Sequence, residues 1–414
     1  MTSAIDAAAL VARFLSHTGL LGALRPLALA RFAASLRRGR IGPHLALRLH
    51  RYNTPEREAV VFEGRRLSYA ELDDRIDRLA RALRGAGVAP GDTVGLLLGN
   101  CNEFLEAQMA VAAIGATVVS IGYRLKAPEV GYILRNAACK ALVFDGEFRE
   151  AAAGGAAEAG TPLLVVTRGE AEPGERAYER FLAEGATSPP LARAGGGRAA
   201  GGLMVYTSGT TGKPKGAHRD LARMGLDVVA QYILQFPLAH DERHLAVCPL
   251  YHSAAPAYVA MTFAVGGTVV IMRHFDPEKA LATLARERCT SSTMVPTMLS
   301  RMLALPPAVR ARYDVSPLRW LMAVAAPLPT ELARRVEEHF GKVLYNMYGA
   351  TEFGLVTVAK PGEHTARPGT VGRVIPGNEV RLIDEEGHDV TGVGVGEIYV
   401  KSSMRMTGYH GNAE

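Results

Sequence analysis

Residues 206–216 read Tyr-Thr-Ser-Gly-Thr-Thr-Gly-Lys-Pro-Lys-Gly and directly follow the apolar run Leu203-Met204-Val205. The apolar run predicts a buried strand that delivers the next residues to the edge of a sheet. Glycines let a backbone approach a ligand closely, hydroxyl groups donate hydrogen bonds to phosphate oxygens, and lysines offset negative charge. The stretch therefore predicts a loop that binds nucleotide phosphates. The candidate phosphate-binding residues are Thr207, Ser208, Gly209, Thr210, Thr211, Gly212, Lys213 and Lys215.

The loop differs from the common P-loop in two respects. A P-loop has a glycine five positions before its Gly-Lys pair, whereas Thr207 stands five positions before Gly212. Pro214 follows Lys213 and has no N–H, so it interrupts the run of amides that would face a phosphate. A flexible Gly/Ser/Thr linker is the alternative, but linkers rarely follow a buried strand or carry two lysines around a proline.

Further segments of the chain resemble the motifs of one family in that family's order. The loop is similar to the signature of the adenylate-forming superfamily, which includes acyl-CoA synthetases, peptide-synthetase adenylation domains and firefly luciferase. The further matching segments are residues 249–253, 325–328, 346–352, and 396–397 with 408–409. The resemblance covers roughly residues 55–414. Within the superfamily, the chain is most like the large N-terminal domain of a bacterial medium- or long-chain fatty acyl-CoA synthetase.

The composition indicates a folded chain with several packed parts. Of its 414 residues, 48% are hydrophobic and 21% are charged, which is typical of globular proteins and not of disordered or fibrous ones. The four cysteines lack Cys-x-x-Cys spacing, so they predict small buried thiols in a reducing compartment. No long uninterrupted apolar run and no secretory signal is evident. We therefore expect a cytoplasmic protein with small-molecule substrates and no nucleic-acid partner.

Residues 1–51 form a predicted basic helical leader. Residues 7–55 contain eight arginines and no Asp or Glu, so this stretch accounts for the whole net charge of +6. Apolar residues at helical spacing predict two short amphipathic helices, delimited by Pro26 and Gly39. Such helices either lie on an anionic membrane, here the inner membrane face, or pack on the protein's own body with their arginines exposed. Arginine outnumbers lysine throughout the chain, which disfavours a transit peptide.

After the leader, apolar runs alternate with amphipathic stretches. Ser68 and Glu71 form a predicted capping box at the start of a helix, residues 93–98 predict a buried strand, and residues 103–114 predict a helix. This alternation predicts an α/β fold with one doubly wound sheet over residues 52–200 and a second over residues 201–368. Residues 151–202 have weak patterning apart from a predicted strand at 163–166. Shorter segments over residues 369–414 predict small antiparallel β structure, where the resemblance implies a distorted barrel.

The second predicted wall of the nucleotide site lies near residue 350. A triphosphate needs a divalent cation, and Mg²⁺ prefers one or two carboxylates with phosphate oxygens, which makes Glu352 the acidic candidate. The resemblance implies that Glu352 holds the magnesium, Thr351 meets the α-phosphate and Tyr348 packs on adenine. Without its neighbours, Glu352 would be read as a solvated helix cap. The resemblance also places beside the nucleotide Ala325, Ala326, Pro327, Asn346, Met347 and Gly349, although the family often has glycine where alanine stands here.

His252 is the candidate residue at the acyl end of the site. A lone histidine is usually structural, but the resemblance implies that His252 lies beside the acyl carboxylate. Amino-acid-activating relatives place an Asp nearby, and this chain has none between Asp241 and Asp276. A plain carboxylic acid with an apolar tail, such as a fatty acid, therefore fits the sequence better. The candidate acyl-binding residues are His252, Ser253, Ala254 and Ala257.

The resemblance implies attack of a carboxylate on the α-phosphorus of ATP, which gives an acyl-adenylate and pyrophosphate, followed by acyl transfer to coenzyme A. Catalysis would rest on positioning and charge stabilisation without a protein nucleophile. The candidate catalytic residues are Lys215, His252, Thr351 and Glu352. Two alternatives stay open: a ligase that passes the adenylate to a carrier protein, and a non-catalytic nucleotide or acyl sensor, which the joint presence of these residues disfavours.

The family continues beyond the segment matched by residues 408–409. An Asp-containing motif, a hinge and a small mobile domain with a catalytic lysine follow there, and none of them occurs before Glu414. The sequence therefore predicts a large-domain fragment with nucleotide and acid binding, weak adenylation and no efficient thioester formation. Homodimer formation and the length of the acyl chain are left open.

Overall fold

The computed structural model describes residues 4–36, 42–189, 201–207, 214–220 and 226–410. The helices of these residues, in chain order, are α1 Ala4–His17, α2 Leu20–Ala23, α3 Pro26–Leu36, α4 His44–Asn53, α5 Tyr69–Gly85, α6 Asn102–Ile114, α7 Ala127–Asn136, α8 Arg149–Ala159, α9 Tyr178–Thr187, α10 Leu226–Ile233, α11 Ala254–Ala264, α12 Pro277–Arg286, α13 Pro296–Leu303, α14 Pro307–Arg310, α15 Thr330–Phe340 and α16 Glu363–Ala366. The strands are β1 Glu58–Phe62, β2 Arg65–Ser68, β3 Thr93–Leu97, β4 Thr117–Ser120, β5 Cys139–Phe144, β6 Leu163–Val166, β7 Glu175–Ala177, β8 Gly202–Thr207, β9 Lys215–Asp220, β10 Arg243–Ala246, β11 Thr268–Ile271, β12 Ser291–Met294, β13 Trp320–Ala323, β14 Leu344–Ala350, β15 Gly354–Ala359, β16 Arg373–Val374, β17 Asn378–Ile383, β18 Glu397–Ser402 and β19 Gly408–Tyr409.

These elements confirm the predicted α/β fold. The predicted strand at 163–166 is β6, and the predicted strand at 93–98 is β3. The capping box is present at the start of α5, because the Glu71 N–H donates to Ser68 Oγ at 3.2 Å and the Ser68 N–H donates to the Glu71 carboxylate at 2.7 Å. These bonds from Ser68 hold the pKa of the Glu71 carboxyl below its usual value. At these positions, local sequence patterns are sufficient to predict the secondary structure.

The chain divides into two compact units. The first unit comprises Gly22–Arg223, Pro249–His274 and Thr407–Glu414, and the second comprises Met1–Leu21, Met224–Cys248 and Phe275–Met406. Each unit therefore contains segments that are distant in sequence. The predicted subdomain boundaries after residues 51, 200 and 368 stay predictions.

The main sheet of the first unit has the strand order β19-β9-β8-β4-β3-β5-β6-β7. Neighbouring strands are parallel from β8 to β7, whereas β9 and β19 are added as antiparallel strands. Leu142 and Val143 of β5 point to opposite faces, and both are fully buried. Both faces of this part of the sheet are therefore covered, which explains the uninterrupted apolar runs of its strands. A smaller set in the same unit pairs β11 with β1 in parallel and β1 with β2 antiparallel.

The second unit contains a run of parallel strands in the order β10, β12, β13 and β14. Strands β15 and β16 extend this run antiparallel. Leu321 and Met322 of β13 are both fully buried, so this part of the sheet also has two covered faces. Strands β17 and β18 form an antiparallel pair, which is the short antiparallel structure predicted after residue 369.

Two helices lie in the stretch where the sequence has weak patterning. Helix α8 is rich in Ala and Gly and packs on α7, and a Cβ on Gly155 would lie only 2.7 Å from the Val130 side chain. Small residues allow this close approach, but they leave little hydrophobic periodicity in the sequence. Helix α9 buries Phe181 and Leu182. The close packing of α8 on α7 requires small residues, and for this reason the sequence predicts the helix only weakly.

The predicted pair of helices in the leader is wrong in number. Residues 4–36 contain α1, α2 and α3, and residues 44–53 form α4. Pro26 begins α3, where its fixed φ suits the first helical turn, and Gly39 lies outside the described residues. Helix α4 packs on the protein's own body, because Leu47 is fully buried and Arg48 and Arg51 pair with the buried Asp73 at 3.2 and 3.0 Å.

The buried His50 of α4 predicts acid destabilisation. Its ring lies 5.3 Å from the Tyr69 ring, and burial lowers its pKa to about 4. His50 is therefore neutral in the folded protein, while the unfolded chain takes up a proton near its ordinary pKa of about 6.5. The resulting stability is present above that pH and falls as the pH drops toward 4. We expect a loss of ~3 kcal/mol in unfolding free energy from this residue.

Urea unfolding at a series of pH values tests this expectation. His50→Gln should show a shallower loss of stability on acidification than the wild type, because the amide does not titrate. His388→Gln is the matched control, since the His388 side chain is 77% exposed. Parallel pH profiles of wild type and His50→Gln would contradict the role of His50.

Candidate functional site

The β8–β9 hairpin carries the predicted phosphate-binding loop. Strand β8 contains the apolar run, and in its antiparallel pairing with β9 the backbone of Thr207 lies opposite Lys215. Ser208, Gly209, Thr210, Thr211, Gly212 and Lys213 lie outside the described residues, as does the side chain of Thr207. The structure thus places the two ends of the loop side by side, and half-buried Lys215 stands at the end that follows it.

The hairpin is fixed to the rest of the first unit at its base. Strand β8 pairs in parallel with β4, so the loop follows the carboxyl end of a strand in a parallel sheet. That is the edge at which α/β folds bind ligands. The Tyr206 hydroxyl donates to Asn136 Oδ1, at the end of α7, at 2.6 Å, and burial raises the pKa of Tyr206.

Thr351 and Glu352 lie in the turn between β14 and β15. The two strands pair so that Ala350 lies opposite Gly354, which leaves residues 351–353 as the turn. A Cβ on Gly349 would lie 2.2 Å from the Gly354 carbonyl oxygen, so this close approach requires glycine. The Glu352 carbonyl oxygen accepts from the Met406 N–H at 2.6 Å. The reading of Glu352 as a helix cap is therefore wrong, because a tight β-hairpin turn holds it.

The two predicted nucleotide-binding segments of the second unit lie on neighbouring strands. Strands β13 and β14 are parallel, with Ala323 opposite Asn346. Ala325, Ala326 and Pro327 follow the carboxyl end of β13, and all three are exposed. Asn346, Met347, Tyr348 and Gly349 lie along the last part of β14. Because carboxyl ends of parallel strands share one edge, the sheet brings these segments together.

Two details of this edge bear on nucleotide binding. Ala325 has a φ of 66°, in the left-handed region where glycine is favoured, which agrees with the glycine often found there in the family. Asn346 is 5% exposed, and its Oδ1 has no hydrogen-bond partner among the described residues. A buried acceptor of this kind is usually satisfied, so Asn346 has capacity for a donor from a ligand or a water.

The loop that carries His252 is held by Asn100, which belongs to none of the sequence motifs. The Asn100 side chain accepts from the Leu250 N–H at 2.8 Å and donates to the Met272 carbonyl oxygen at 3.0 Å. Asn100 is 3% exposed and follows the carboxyl end of β3. Asn100 lies three residues beyond β3, at the edge where α/β folds bind ligands, but both of its partners are distant in sequence, so no local pattern indicated its role.

Tyr251, which precedes His252 in the chain, belongs to a series of aromatic rings in contact. The Tyr251 ring lies 4.2 Å from the His252 ring and meets Tyr123 edge-on at 5.2 Å, and Tyr123 stacks on Phe148 at 5.3 Å. Partial removal from water lowers the pKa of His252, and the Arg124 cation lowers it further. The exposed His252 is therefore a neutral imidazole near pH 7, with one donor and one acceptor nitrogen.

Ser253 and the predicted acyl-binding alanines lie at the start of α11. Ala254, Ala257 and Ala260 are spaced three residues apart, so they share one side of the helix, and each is half-buried. A helix side made of alanines presents a small apolar surface. Lys215, His252 and these alanines belong to the first unit, and Thr351 and Glu352 to the second. Their roles in binding and catalysis stay predictions.

The described residues contain no group of three or more His, Cys, Asp or Glu side chains arranged to hold a metal ion. No helix among them is long and apolar enough to cross a membrane. The four cysteines are buried thiols, as the sequence predicted.

This chain is similar to known proteins that are named as acyl-CoA synthases or as acid ligases. A feruloyl-CoA synthase from Amycolatopsis sp is 34% identical over 381 residues, which cover 92% of this chain and 71% of that protein. A fatty acid–[acyl-carrier-protein] ligase from Streptomyces coeruleorubidus is 30% identical over 383 residues, covering 87% of this chain and 69% of that protein. The chain thus spans about seven tenths of the length of these relatives.

A solved structure shares the fold. The anthranilate CoA ligase AuaEII, in complex with anthranoyl-AMP, superposes with a TM-score of 0.80 at 25% identity, covering 89% of this chain and 72% of that one. Residues 47–410 match the family described as AMP-binding enzyme. The matched residues include the β8–β9 hairpin, the His252 loop and the β14–β15 turn. This chain belongs to the AMP-binding enzyme family of adenylate-forming proteins.

Proposed function

We propose that this protein uses ATP to activate a carboxylic acid with an apolar body, forming an acyl-adenylate and pyrophosphate, and that the complete enzyme transfers the acyl group to coenzyme A. The observation that carries the proposal is the family match over residues 47–410, which spans every predicted nucleotide- and acid-binding segment. The relatives named for coenzyme A ligation support the acceptor.

The chemistry divides into two displacements. A carboxylate oxygen forms a bond to the α-phosphorus of ATP while the bond to the bridging oxygen breaks and pyrophosphate leaves. The coenzyme A thiolate then forms a bond to the acyl carbon, and AMP leaves as the mixed anhydride breaks. In this proposal Lys215 stabilises phosphate charge, the Thr351 hydroxyl meets the α-phosphate and His252 orients the carboxylate. Positioned donors of this kind are effective because they need no reorganisation during reaction.

The donor set fits magnesium held mainly by the substrate. Glu352 offers a hard carboxylate oxygen, which suits Mg²⁺, and the described residues contain no larger group of metal-binding side chains. Mg²⁺ typically keeps several waters and binds through one or two carboxylates and substrate phosphates. When bound, the metal would neutralise phosphate charge beside Glu352.

The acid is proposed to be a fatty acid. No Asp lies between residues 241 and 276 to pair an ammonium group, and the alanine side of α11 is apolar. An aromatic acid is the second candidate, favoured by the Tyr251 ring next to His252 and by the rings of Tyr123, which meets Tyr251, and Phe148, which stacks on Tyr123. The feruloyl-CoA synthase and the anthranilate CoA ligase among the similar proteins also support an aromatic acid.

A substrate screen separates the two acids. Acid-dependent pyrophosphate release should be measured with straight-chain acids from acetate to long-chain acids, and with benzoate, anthranilate, indoleacetate and ferulate. A fatty-acid enzyme should respond to increasing chain length, and amino acids should give no release. Preference for the aromatic set would replace the fatty acid by the second candidate. No release with any acid would refute adenylation.

The acceptor has one alternative. A carrier-protein thiol could take the acyl group in place of coenzyme A, as the name of the Streptomyces coeruleorubidus relative states for that protein. Supplying the complete enzyme with coenzyme A and, separately, with an acyl carrier protein distinguishes the two by the thioester formed. Whether the enzyme works as a homodimer stays a prediction.

We also propose that α3 contacts an anionic membrane surface from the cytoplasmic side. Leu27 and Leu29 of this helix are 63% and 43% exposed, and the nearby Arg25 and Arg31 are exposed as well. Residues 7–55 contain no acidic side chain that would oppose an anionic surface. Apolar side chains flanked by arginines are typical of helices that lie in the membrane interface.

Vesicle sedimentation tests the membrane contact. A Leu27→Ser variant should bind phosphatidylglycerol-containing vesicles about tenfold more weakly than the wild type, because the apolar side chain that shares a helix face with the exposed Arg31 no longer enters the bilayer. The control is Val393→Ser with Val395→Ser, since these valines are 89% and 94% exposed elsewhere. Equal binding by both variants would refute the contact, and loss of a dimer would assign the face to a second copy.

A further inference from the structure

A short segment near the end of the described chain covers the outer strand of the loop hairpin. Strand β19 pairs antiparallel with β9, with Gly408 opposite His218 and Tyr409 opposite Ala217. The His410 N–H donates to the Gly216 carbonyl oxygen at 2.8 Å. Residues 407–410 therefore bind the strand that directly follows the phosphate-binding loop, within the first unit.

Side chains reinforce this pairing on both sides of the hairpin. Thr407 Oγ1 lies 2.8 Å from His218 Nδ1, and His410 Nε2 lies 3.1 Å from the Asn136 carbonyl oxygen. The Tyr206 hydroxyl donates to the Asn136 side chain. The last residue of α7, Asn136, thus connects the strand before the loop to the segment that covers the strand after it.

Tyr409 also reaches the predicted phosphate-binding lysine. Lys215 Nζ lies 5.6 Å from the centre of the Tyr409 ring, within the range of about 6 Å for a cation–π contact. Because Tyr409 pairs with Ala217, Lys215 is its diagonal neighbour on the same side of the sheet, two residues along β9. The contact follows directly from the strand register.

We propose that Tyr409 is a positioning residue for ATP binding, whose ring holds the Lys215 ammonium group next to the loop. The inference rests on the proposed function, because it assigns Lys215 to the ATP phosphates. A lysine side chain has four rotatable bonds, and ordering it on phosphate costs conformational entropy. A ring that already restricts the ammonium group removes part of that cost, which strengthens ATP binding.

The test compares Tyr409→Leu, which removes the ring, with Tyr409→Phe, which keeps it. Tyr409→Leu should raise the Kd and KM for ATP about threefold to tenfold and leave the KM for the acid unchanged. Tyr409→Phe should restore the wild-type values, because the attraction comes from the ring face. Tyr399→Leu is the matched control, since Tyr399 is a 53% exposed strand residue of β18 in the second unit.

A double variant asks whether the effect passes through the lysine charge. In a Lys215→Met background, Tyr409→Leu should cause no further loss of ATP affinity. Additive losses, equal defects in the Phe and Leu variants, or a lowered melting temperature with unchanged ATP affinity would each overturn the proposal. Calorimetry with ATP keeps the two hypotheses apart, because a wild-type protein that fails to bind ATP refutes the proposed function, whereas normal ATP binding by Tyr409→Leu refutes only the role of Tyr409.

Discussion

Replacing Lys215 by Ala is expected to lower acid-dependent pyrophosphate release about a hundredfold to a thousandfold. Lys215 begins β9, opposite the backbone of Thr207, so its charge stands at the end of the predicted phosphate-binding loop. Charge builds on the phosphate oxygens as the pyrophosphate bond breaks, and a fixed cation stabilises this state more than the ground state. The measurement is the rate of pyrophosphate release at saturating ATP and acid.

Two further variants make the result specific to the charge at this position. Lys215→Arg keeps the cation and should retain more activity than Lys215→Ala, although its fork geometry differs. Lys401→Ala is the control, because Lys401 is 70% exposed and pairs with Glu379 at 2.9 Å on the surface of the β17–β18 hairpin. Near-normal release by Lys215→Ala would remove Lys215 from the catalytic residues.

Replacing Glu352 by Gln is expected to lower the same rate to a similar extent and to raise the magnesium concentration required for half-maximal release. The side chain keeps its shape, and the backbone of Glu352 still accepts from Met406, so the turn between β14 and β15 should be preserved. The lost quantity is one negative charge, and Mg²⁺ depends strongly on charged oxygen ligands. A magnesium titration of pyrophosphate release separates weakened metal binding from a general loss of structure.

Glu386→Gln provides the matched control, since Glu386 is exposed in a turn and has no proposed role. It should show the wild-type rate and magnesium dependence. If Glu352→Gln loses activity at every magnesium concentration and also melts at a lower temperature, the residue supports the turn and not the metal. Full activity at low magnesium would refute its role altogether.

Much of the fold could be predicted from local patterns. The apolar runs at 93–98 and 163–166 correspond to β3 and β6, and the Ser68–Glu71 capping box begins α5. These signals depend on neighbours within a few residues, which the sequence displays directly. The leader and α8 were harder to predict, because small residues and prolines there pack against other elements in ways that periodicity does not report.

The candidate site, like the fold, could be predicted from the sequence only in part. The family match confirms the superfamily inferred from the loop and its companion motifs, while the roles of Lys215, His252, Thr351 and Glu352 stay predictions. Asn100 was missed because its importance lies in two hydrogen bonds to residues at least 150 positions away, Leu250 and Met272. A single asparagine has no local pattern that reveals such partners.

By itself, the sequence determined the strand before the loop at 206–216 and membership of the superfamily, whereas phosphate binding by the loop stays a prediction. The tertiary structure alone decided that Asn100 holds the His252 loop, that Ala325 adopts a glycine-like conformation and that Tyr409 meets Lys215. Residue types and their spacing specify the local conformation and the chemical groups that are present. Contacts between distant segments depend on strand order and register, which are set by packing of the whole chain.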